Sequence, residues 1–322
     1  MLKFRIPSAL AAAAVVTTVL ASPAQAVDLP CSTAKFIIPW GAGGDTDIIM
    51  RAVAEAANRA GAKPQLQVIN IGGQGGNKGA KEVKDMAPDG CALLALHDSA
   101  HIAHITGRVD FTYQAFEPVA LMAFTPAIIG VSKQAPFNNL KEMVALAKKE
   151  PNSITTGATL GSTSQFVFLL LEDAAKIKLK YVPYEGTRQR ITAVLANNIQ
   201  MGEMNIITAK QYLKEGSLKS IGIATEARDP ALPELPTLKE QGYDVQYGVN
   251  RGVVAPKGTK PDVVAYWVGI FEKAAKDPAF VKTLESQGTD VKYIGGKDYG
   301  AFLKKSYDTH NTAAINLGIA KK

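Results

Sequence analysis

Short apolar runs alternate with amphipathic stretches through most of the chain, and this alternation limits the possible folds more than any other feature. Residues 35–39, 65–71 and 92–96 read as buried strands. Between the first two, Asp45 or Thr46 is placed to cap a helix to about residue 60. The glycine-rich segment 72–79 leads into a helix ending near Met86, and Pro88-Asp89-Gly90 makes a turn before the third strand. Strand–helix repetition of this kind needs parallel strands covered by helices on both faces, so the expected class is α/β.

A second unit of the same kind begins after Phe116-Glu117-Pro118. A helix over 138–149 puts Leu140, Val144 and Ala147 on one face and stops at Pro151. Strands at 153–158, 178–183, 199–205 and 218–224 alternate with helices at 162–175 and 187–197, enough for a five-element sheet. The C-terminal third returns to long amphipathic helices. Pro261 stands at a first helical position, and Gly318 stops a last helix over 297–316. The division expected is a first lobe from 27–124 and 252–322, with a second lobe, 125–251, inserted into it. Segments 119–129 and 245–254 would cross between the lobes as hinge strands.

The N-terminus has the order of a secretory signal peptide. Lys3 and Arg5 precede an apolar stretch over 6–21, and Ala24-Gln25-Ala26 supplies a small-x-small cleavage site. The run is shorter than the roughly 20 residues that span a bilayer, and no other segment is long and apolar enough to do so. Cleavage after Ala26 leaves 296 of the 322 residues, a length suited to two lobes. The formal charge is +7, of which Lys3 and Arg5 supply two, leaving +5. This mild excess suits an anionic solute. The lysines are spread opposite glutamates with no basic tail, which argues against nucleic acid. Cys31 and Cys91 both lie just before strand-like runs, and in an oxidising compartment such a pair invites a disulfide; two free buried thiols are the alternative.

Three loops between a strand and a helix could hold an anion. The first is Pro39-Trp40-Gly41-Ala42-Gly43-Gly44-Asp45-Thr46-Asp47, the second Gly72-Gly73-Gln74-Gly75-Gly76-Asn77-Lys78-Gly79, and the third Gly157-Ala158-Thr159-Leu160-Gly161-Ser162-Thr163-Ser164. Glycines let successive N–H groups turn into a cleft, and the helix that follows adds its positive end. Each loop alone could be turn chemistry plus a cap. All three, however, lie at the C-terminal ends of strands, where open α/β sheets bind ligands.

The same segments carry a resemblance. Residues 36–47 (Phe-Ile-Ile-Pro-Trp-Gly-Ala-Gly-Gly-Asp-Thr-Asp), Gly73 to Gly79, Ala87-Pro88-Asp89-Gly90, Tyr181-Val182-Pro183-Tyr184-Glu185-Gly186, residues 235–242 and Ala255-Pro256-Lys257-Gly258-Thr259 resemble the receptors of tripartite tricarboxylate transporters, the Bug-type receptor family. The resemblance covers essentially the whole mature chain. It implies a two-domain Venus flytrap of the type II periplasmic-binding class, a periplasmic address, a small carboxylate ligand, and the membrane components of such a transporter as partners. It also implies that the first loop and the loop ending at Ser164 grip a ligand carboxylate. The chain departs from the family pattern where Asp45 replaces a small residue, where Thr187-Arg188-Gln189-Arg190 follows Gly186, and where the strand ends in Asn205.

On these grounds Gly43, Gly44, Thr46 and Asp47 are expected to contribute from the first lobe and Ser162, Thr163 and Ser164 from the second. Gly75, Gly76 and Asn77 would line the cleft wall, Trp40 and Tyr184 would flank the carbon skeleton, and Asn205 lies where the distal end would be read. Asp47 is expected to orient N–H groups rather than touch an anion. Arg188, Arg190 and Arg251 are candidates for a second carboxylate, since a guanidinium fork matches that group, and Arg251 is preferred for its place on a crossing strand. The protein is expected to be a monomer without a cofactor and not an enzyme. Its main competitor is a zinc receptor using His97, His101 and His104, which would share a face if all three stood on one helix. An exported hydrolase using Ser99 beside His97 and Asp98 is weaker, since triad members converge in space and not in sequence. A dinucleotide enzyme, suggested by Gly73–Gly79 with Asp98 downstream, is weaker still.

Overall fold

The computed structural model describes residues 27–321, so the signal-peptide segment lies outside the described residues. Two sheets organise the chain. In the first, β1 (Thr33–Ile38) pairs in parallel with β2 (Gln65–Asn70) and β3 (Ala92–His97). Helices α1 (Asp45–Arg59), α2 (Asn77–Lys84) and α3 (Ser99–Ile105) follow these strands in turn. Three antiparallel strands complete the sheet: β4 (Phe116–Pro126), β10 (Gly248–Pro256) and β11 (Asp290–Gly295), in the order β11-β4-β10-β3-β1-β2. All six residues of β3 are buried, as its unbroken apolar run requires of a strand with neighbours on both sides and helices on both faces.

The second sheet uses β5 (Ile128–Ser132), β6 (Thr155–Ala158), β7 (Lys180–Pro183), β8 (Met201–Met204) and β9 (Leu218–Ile223), ordered β7-β6-β8-β5-β9. It carries α4 (Leu140–Lys149), α5 (Thr163–Ala175), α6 (Thr187–Leu195) and α7 (Ile206–Lys214). The chain then returns to the first sheet with α8 (Pro261–Ala275), α9 (Pro278–Ser286) and α10 (Gly296–Asn316). The mixed α/β class is therefore as expected, with two sheets each covered by its own helices.

Each sheet has its own apolar core. On the first, Phe36, Ile49, Val253 and Phe271 pack around Trp267, which is fully buried and donates Nε1–H to the Gly90 carbonyl at 3.0 Å. On the second, Phe137, Phe168, Leu171 and Met201 form the centre. The chain passes between the sheets at Ala127 and again after Ala224. The two passages are bonded side by side, Ala127 N–H to Tyr247 O (3.1 Å), Tyr247 N–H to Ala224 O (2.8 Å) and Ala224 N–H to Ala127 O (2.8 Å). Cys31 and Cys91 form a disulfide with Cα atoms 6.0 Å apart, at the N-terminal edge where β1 and β3 run in parallel.

Three elements go beyond the sequence reading. β5 continues the apolar run of β4, so only the break at Ala127 separates it from one long crossing strand. α7 and β11 carry weak periodicity: α7 buries only Ile206 and Ala209, and β11 is a half-buried edge. The helix cap also shifts. Gly44, and neither Asp45 nor Thr46, is the N-cap of α1, which leaves both side chains in the first turn free for other contacts. Among the described residues no helix is long and apolar enough to cross a membrane.

Candidate functional site

The C-terminal ends of strands from both sheets meet around one space. An inner cavity of about 40 Å³ is lined from the first sheet by Trp40, Asp45, Thr46, His97 and Arg251, and from the second by Thr159, residues 162–164, Thr187, Arg190 and Glu203. It adjoins an outer cavity of about 340 Å³ between the Trp40–Thr46 loop, Gly72 and Gly73 on one side and residues 185–189 on the other. A larger hollow of about 1070 Å³ lies beside Leu29, Pro88 and Tyr266, but every charged residue lining it is solvent-exposed. Buried charge, which is costly unless it does something, lines the inner cavity in Arg190, Glu203 and Arg251.

The first loop is held in shape by Asp47. Its carboxylate, 3% exposed, accepts from Gly43 N–H (2.8 Å), Arg51 Nε (2.9 Å) and Asn70 Nδ2 (2.7 Å), and Asn70 also donates to the Trp40 carbonyl (3.0 Å). Burial pushes the Asp47 carboxyl up, but the hydrogen bonds from Arg51, Gly43 and Asn70 outweigh it, and its pKa lies below the usual carboxylate range. Gly43, at φ +75°, takes the left-handed turn this bond requires, so its N–H is committed to Asp47.

Trp40 closes one side of the space. It stacks on His97 with ring centroids 4.8 Å apart and 14° between planes, and its buried Nε1 has no hydrogen-bond partner among the described residues. A Cβ on Gly76, at φ +94°, would lie 3.1 Å from the indole ring, which explains a glycine in the second loop at this point. Burial, with the Arg251 charge beside it, lowers His97 to about 3, so the ring is neutral.

Four charged groups set the electrostatics. Arg251 on β10, 4% exposed, donates through Nε to Thr46 Oγ1 (3.1 Å) and through Nη1 to Thr125 Oγ1 (2.7 Å). No carboxylate stands within ion-pairing distance of it among the described residues, and burial lowers its pKa against the pull of Asp45, Glu203 and Asp98. Arg190 on α6, 1% exposed, is paired with Glu203 on β8. Its Nη2 lies 2.5 Å from Glu203 Oε2 and 3.2 Å from Thr187 Oγ1, while Nε donates to the Glu203 carbonyl at 2.9 Å. Burial raises Glu203, with Arg190 opposing and Asp45 adding to the rise. Asp45 keeps partial exposure and has no ion-pair partner among the described residues. Its pKa is raised by burial against Arg251, Arg190 and Thr187.

In the third loop Ser162 Oγ donates to the Thr159 carbonyl (2.9 Å) and lies 3.3 Å from Ser164 Oγ, which accepts from Thr159 N–H (3.0 Å). Ser162 occupies the N-cap position of α5 without a side-chain cap bond, so first-turn N–H groups beside Thr163 and Ser164 are left for another acceptor. Contacts join the loops across the space. Gly75 N–H donates to Glu185 Oε2 at 3.2 Å, Arg188 lies over Gly43, and Arg108 lies over Gly161.

Of the residues expected to form a site, the structure gathers Trp40, Gly44, Thr46, Arg188, Arg251 and the three residues at 162–164 around the two cavities. Others are used elsewhere. Tyr184 packs into the second sheet's core, Asn205 caps α7 by accepting from Thr208 N–H (2.8 Å), and Asn77 donates to the Gln74 carbonyl (2.8 Å). Gly75 and Gly76 stand behind Trp40 and at the Glu185 contact, away from the cavity walls. Thr159 of the third candidate loop and Thr187 of the segment that departs from the family pattern also line the walls, and Glu203 and His97 complete them without having been expected there. Glu203 on a strand and Thr187 after a glycine carry no local signal that they converge.

The histidine and hydrolase alternatives lose their geometry. His97 ends β3 while His101 and His104 stand on α3, so the three do not share a helix face. His101 has edge contacts with Tyr113 and Tyr307, and His104 Nδ1 lies 2.9 Å from Tyr307 OH. Among the described residues no group of three or more His, Cys, Asp or Glu is placed to hold a metal. Ser99 Oγ lies 3.5 Å from His97 Nε2, but Asp98 turns away, accepting from Asn250 N–H (2.8 Å) and Ser306 Oγ (3.0 Å).

Comparison with known proteins decides the class of this cleft. The model of the tripartite tricarboxylate transporter family receptor matches residues 49–317. The chain belongs to this receptor family. Its relatives include a UPF0065 protein of Cupriavidus necator, 28% identical with 97% of this chain and 96% of the relative covered. Protein BugT of Bordetella pertussis is 24% identical, with 85% and 86% covered. Among solved structures, the periplasmic binding protein BugD superposes with a TM-score of 0.84 at 27% identity, covering 90% of this chain and 99% of BugD. MatC of Rhodopseudomonas palustris, with bound malate, superposes at 0.81 and 26% identity, covering 87% and 98%. The receptor therefore has a periplasmic-binding-protein fold.

Proposed function

We propose that this receptor is exported to the periplasm, captures a small carboxylate in the cleft between its two sheets, and delivers it to the membrane components of a tripartite transporter. The observation that carries this reading is Arg251: a nearly fully buried guanidinium on the cavity wall, held by two threonine hydroxyls and lacking a carboxylate partner among the described residues. A buried cation left in this state is suited to an incoming anion. Thr46, the open first turn of α5 and the hydroxyls at 162–164 supply neutral donors around it. That MatC, of similar fold, carries malate supports a carboxylate.

Residues 27–124 with 252–322 would form one lobe and 125–251 the other, with hinge strands at 119–129 and 245–254. Because the cavity walls come from both sheets, a solute gains its full set of contacts only when the lobes are together, and binding would shift the population toward that state. The protein would act as a monomer that binds and releases without turnover.

The test is thermal melting of residues 27–322 with a library of mono-, di- and tricarboxylates and with zinc. A ligand at about 100 times its Kd adds roughly 2.7 kcal/mol of stability. A carboxylate shift that Thr46→Ala abolishes supports the proposal. A shift with zinc alone contradicts it.

A further inference from the structure

The strand that carries Arg251 has two faces, and only one of them borders the solute cleft. Val249 and Arg251 line the inner cavity, whereas Gly248 and Asn250 line a separate hollow of about 750 Å³ on the other face. β4 alternates in the same way, with Thr125 bonded to Arg251 and Phe124 on the hollow. Helix α10 supplies one wall of the hollow and α5 another, so elements carried by both sheets meet here too. The walls are bridged at one end. Phe166 of α5 packs on His310 of α10 with ring centroids 5.2 Å apart, and Tyr247 OH lies 3.1 Å from His310 Nε2.

The volume lies in the range of small-molecule sites, about 300–1000 Å³, and the walls have the aromatic character such sites share. One cation is set among the rings. Lys292 on β11 is half-buried, with Nζ 5.3 Å from the Phe124 ring centroid and 5.0 Å from that of Phe302. It donates to Asn250 Oδ1 at 3.3 Å, and no carboxylate stands within ion-pairing distance of it among the described residues. Asn250 is itself fixed, giving its N–H (2.8 Å) and Nδ2–H (2.9 Å) to buried Asp98, which Ser306 of α10 also binds (3.0 Å). Of the hollow's own carboxylates, Asp173 is paired with Lys176 and Glu226 with Lys239, while Asp244 accepts from Gln246 Nε2; all three are solvent-exposed. The ammonium of Lys292 therefore keeps unused N–H donors on an apolar wall, where an anionic head group gains most. We propose that this hollow is a second binding site, distinct from the solute cleft, for an amphipathic monocarboxylate. Its head group lies at Lys292, and its apolar body runs along Phe166, Tyr247 and Phe302. This assignment does not depend on what the cleft takes.

The test is isothermal titration of residues 27–322 at pH 7.5 with decanoate and with 1-decanol, both kept below the concentrations at which they self-associate. The proposal expects saturable one-to-one binding of decanoate, tighter than that of the alcohol. Lys292→Met should weaken decanoate about tenfold and leave the alcohol unchanged, as loss of one half-buried charge pair would. Thr309→Trp, at an exposed α10 position on the hollow, places an indole in the space and should remove both. Absence of decanoate binding overturns the proposal, as does equal binding of acid and alcohol. Decanoate binding that Arg251→Met abolishes and Thr309→Trp leaves intact assigns the acid to the solute cleft and also overturns it. None of these results touches the cleft's own reading, which the small carboxylates decide. The comparison of acid with alcohol is read on the unsubstituted chain, so it stands even if a variant folds poorly.

Discussion

His101 offers a prediction whose size follows from its surroundings. The ring is 1% exposed on α3, its edges face Tyr113 and Tyr307, and neither ring nitrogen has a hydrogen-bond partner among the described residues. Burial lowers its pKa to about 4, with Asp98 opposing and His310 adding to the fall. A histidine whose folded pKa is depressed contributes no penalty above its unfolded value near 6.5. Below that, the unfolded chain binds a proton that the folded chain refuses, so stability falls as pH drops from about 6.5 toward 4. At pH 5.0 the difference spans about 1.5 pKa units, or about 2 kcal/mol at 1.36 kcal/mol per unit. His101→Phe keeps the edge contacts and removes the titration. It should match or exceed wild type at pH 7.5, by about 1 kcal/mol as the unsatisfied nitrogens disappear. Its advantage should then grow by about 2 kcal/mol at pH 5.0. His97, lowered by burial to about 3, destabilises both proteins alike in acid and cancels. Urea unfolding followed by tryptophan fluorescence suits the measurement, because both tryptophans, Trp40 and Trp267, belong to the first-sheet unit that contains His101. An advantage equal at the two pH values would refute the reasoning.

Three further outcomes are expected. Reducing the Cys31–Cys91 disulfide, which spans 60 residues, should lower stability by about 4 kcal/mol on the chain-entropy account, seen as a fall in Tm with dithiothreitol that Cys31→Ser/Cys91→Ser reproduces. Glu203→Ala leaves Arg190 buried and unpaired and should cost about 3–5 kcal/mol in urea unfolding, whereas replacing both partners with methionine should cost less than the single change. Gly76→Ala forces a side chain into a left-handed conformation against the Trp40 ring and should cost about 1–3 kcal/mol while shifting the Trp40 emission.

What could be read from the sequence follows the range of the forces involved. The strands β1 and β3 declare themselves because each buries a run of consecutive residues, and the loops at 39–47 and 157–164 declare themselves through glycines and hydroxyls at strand ends. Arg251 stood out for its place on a segment expected to cross between the lobes. The pairing of Arg190 with Glu203 was not readable. Thirteen residues separate them, and an arginine in Thr187-Arg188-Gln189-Arg190 looks like a solvated helix face until β8 is set beside α6. Asp45 appeared in the sequence as part of the first candidate loop, as a departure from the family pattern and as a helix cap. Its place on the cavity wall depends on Gly44 taking the cap instead. Tyr184 and Asn205 illustrate the converse, since residues next to site loops can be drawn away by a core or a helix end.

The central claim is that a small carboxylate binds in the cleft against Arg251. Isothermal titration of residues 27–322 with the panel of small mono-, di- and tricarboxylates, repeated on Arg251→Met, tests it most directly. The account predicts saturable one-to-one binding of at least one ligand, weakened about 30-fold or more by the substitution, as expected when one partner of a buried charge pair is removed. Binding that survives Arg251→Met unchanged, or a panel in which no carboxylate binds, would contradict it.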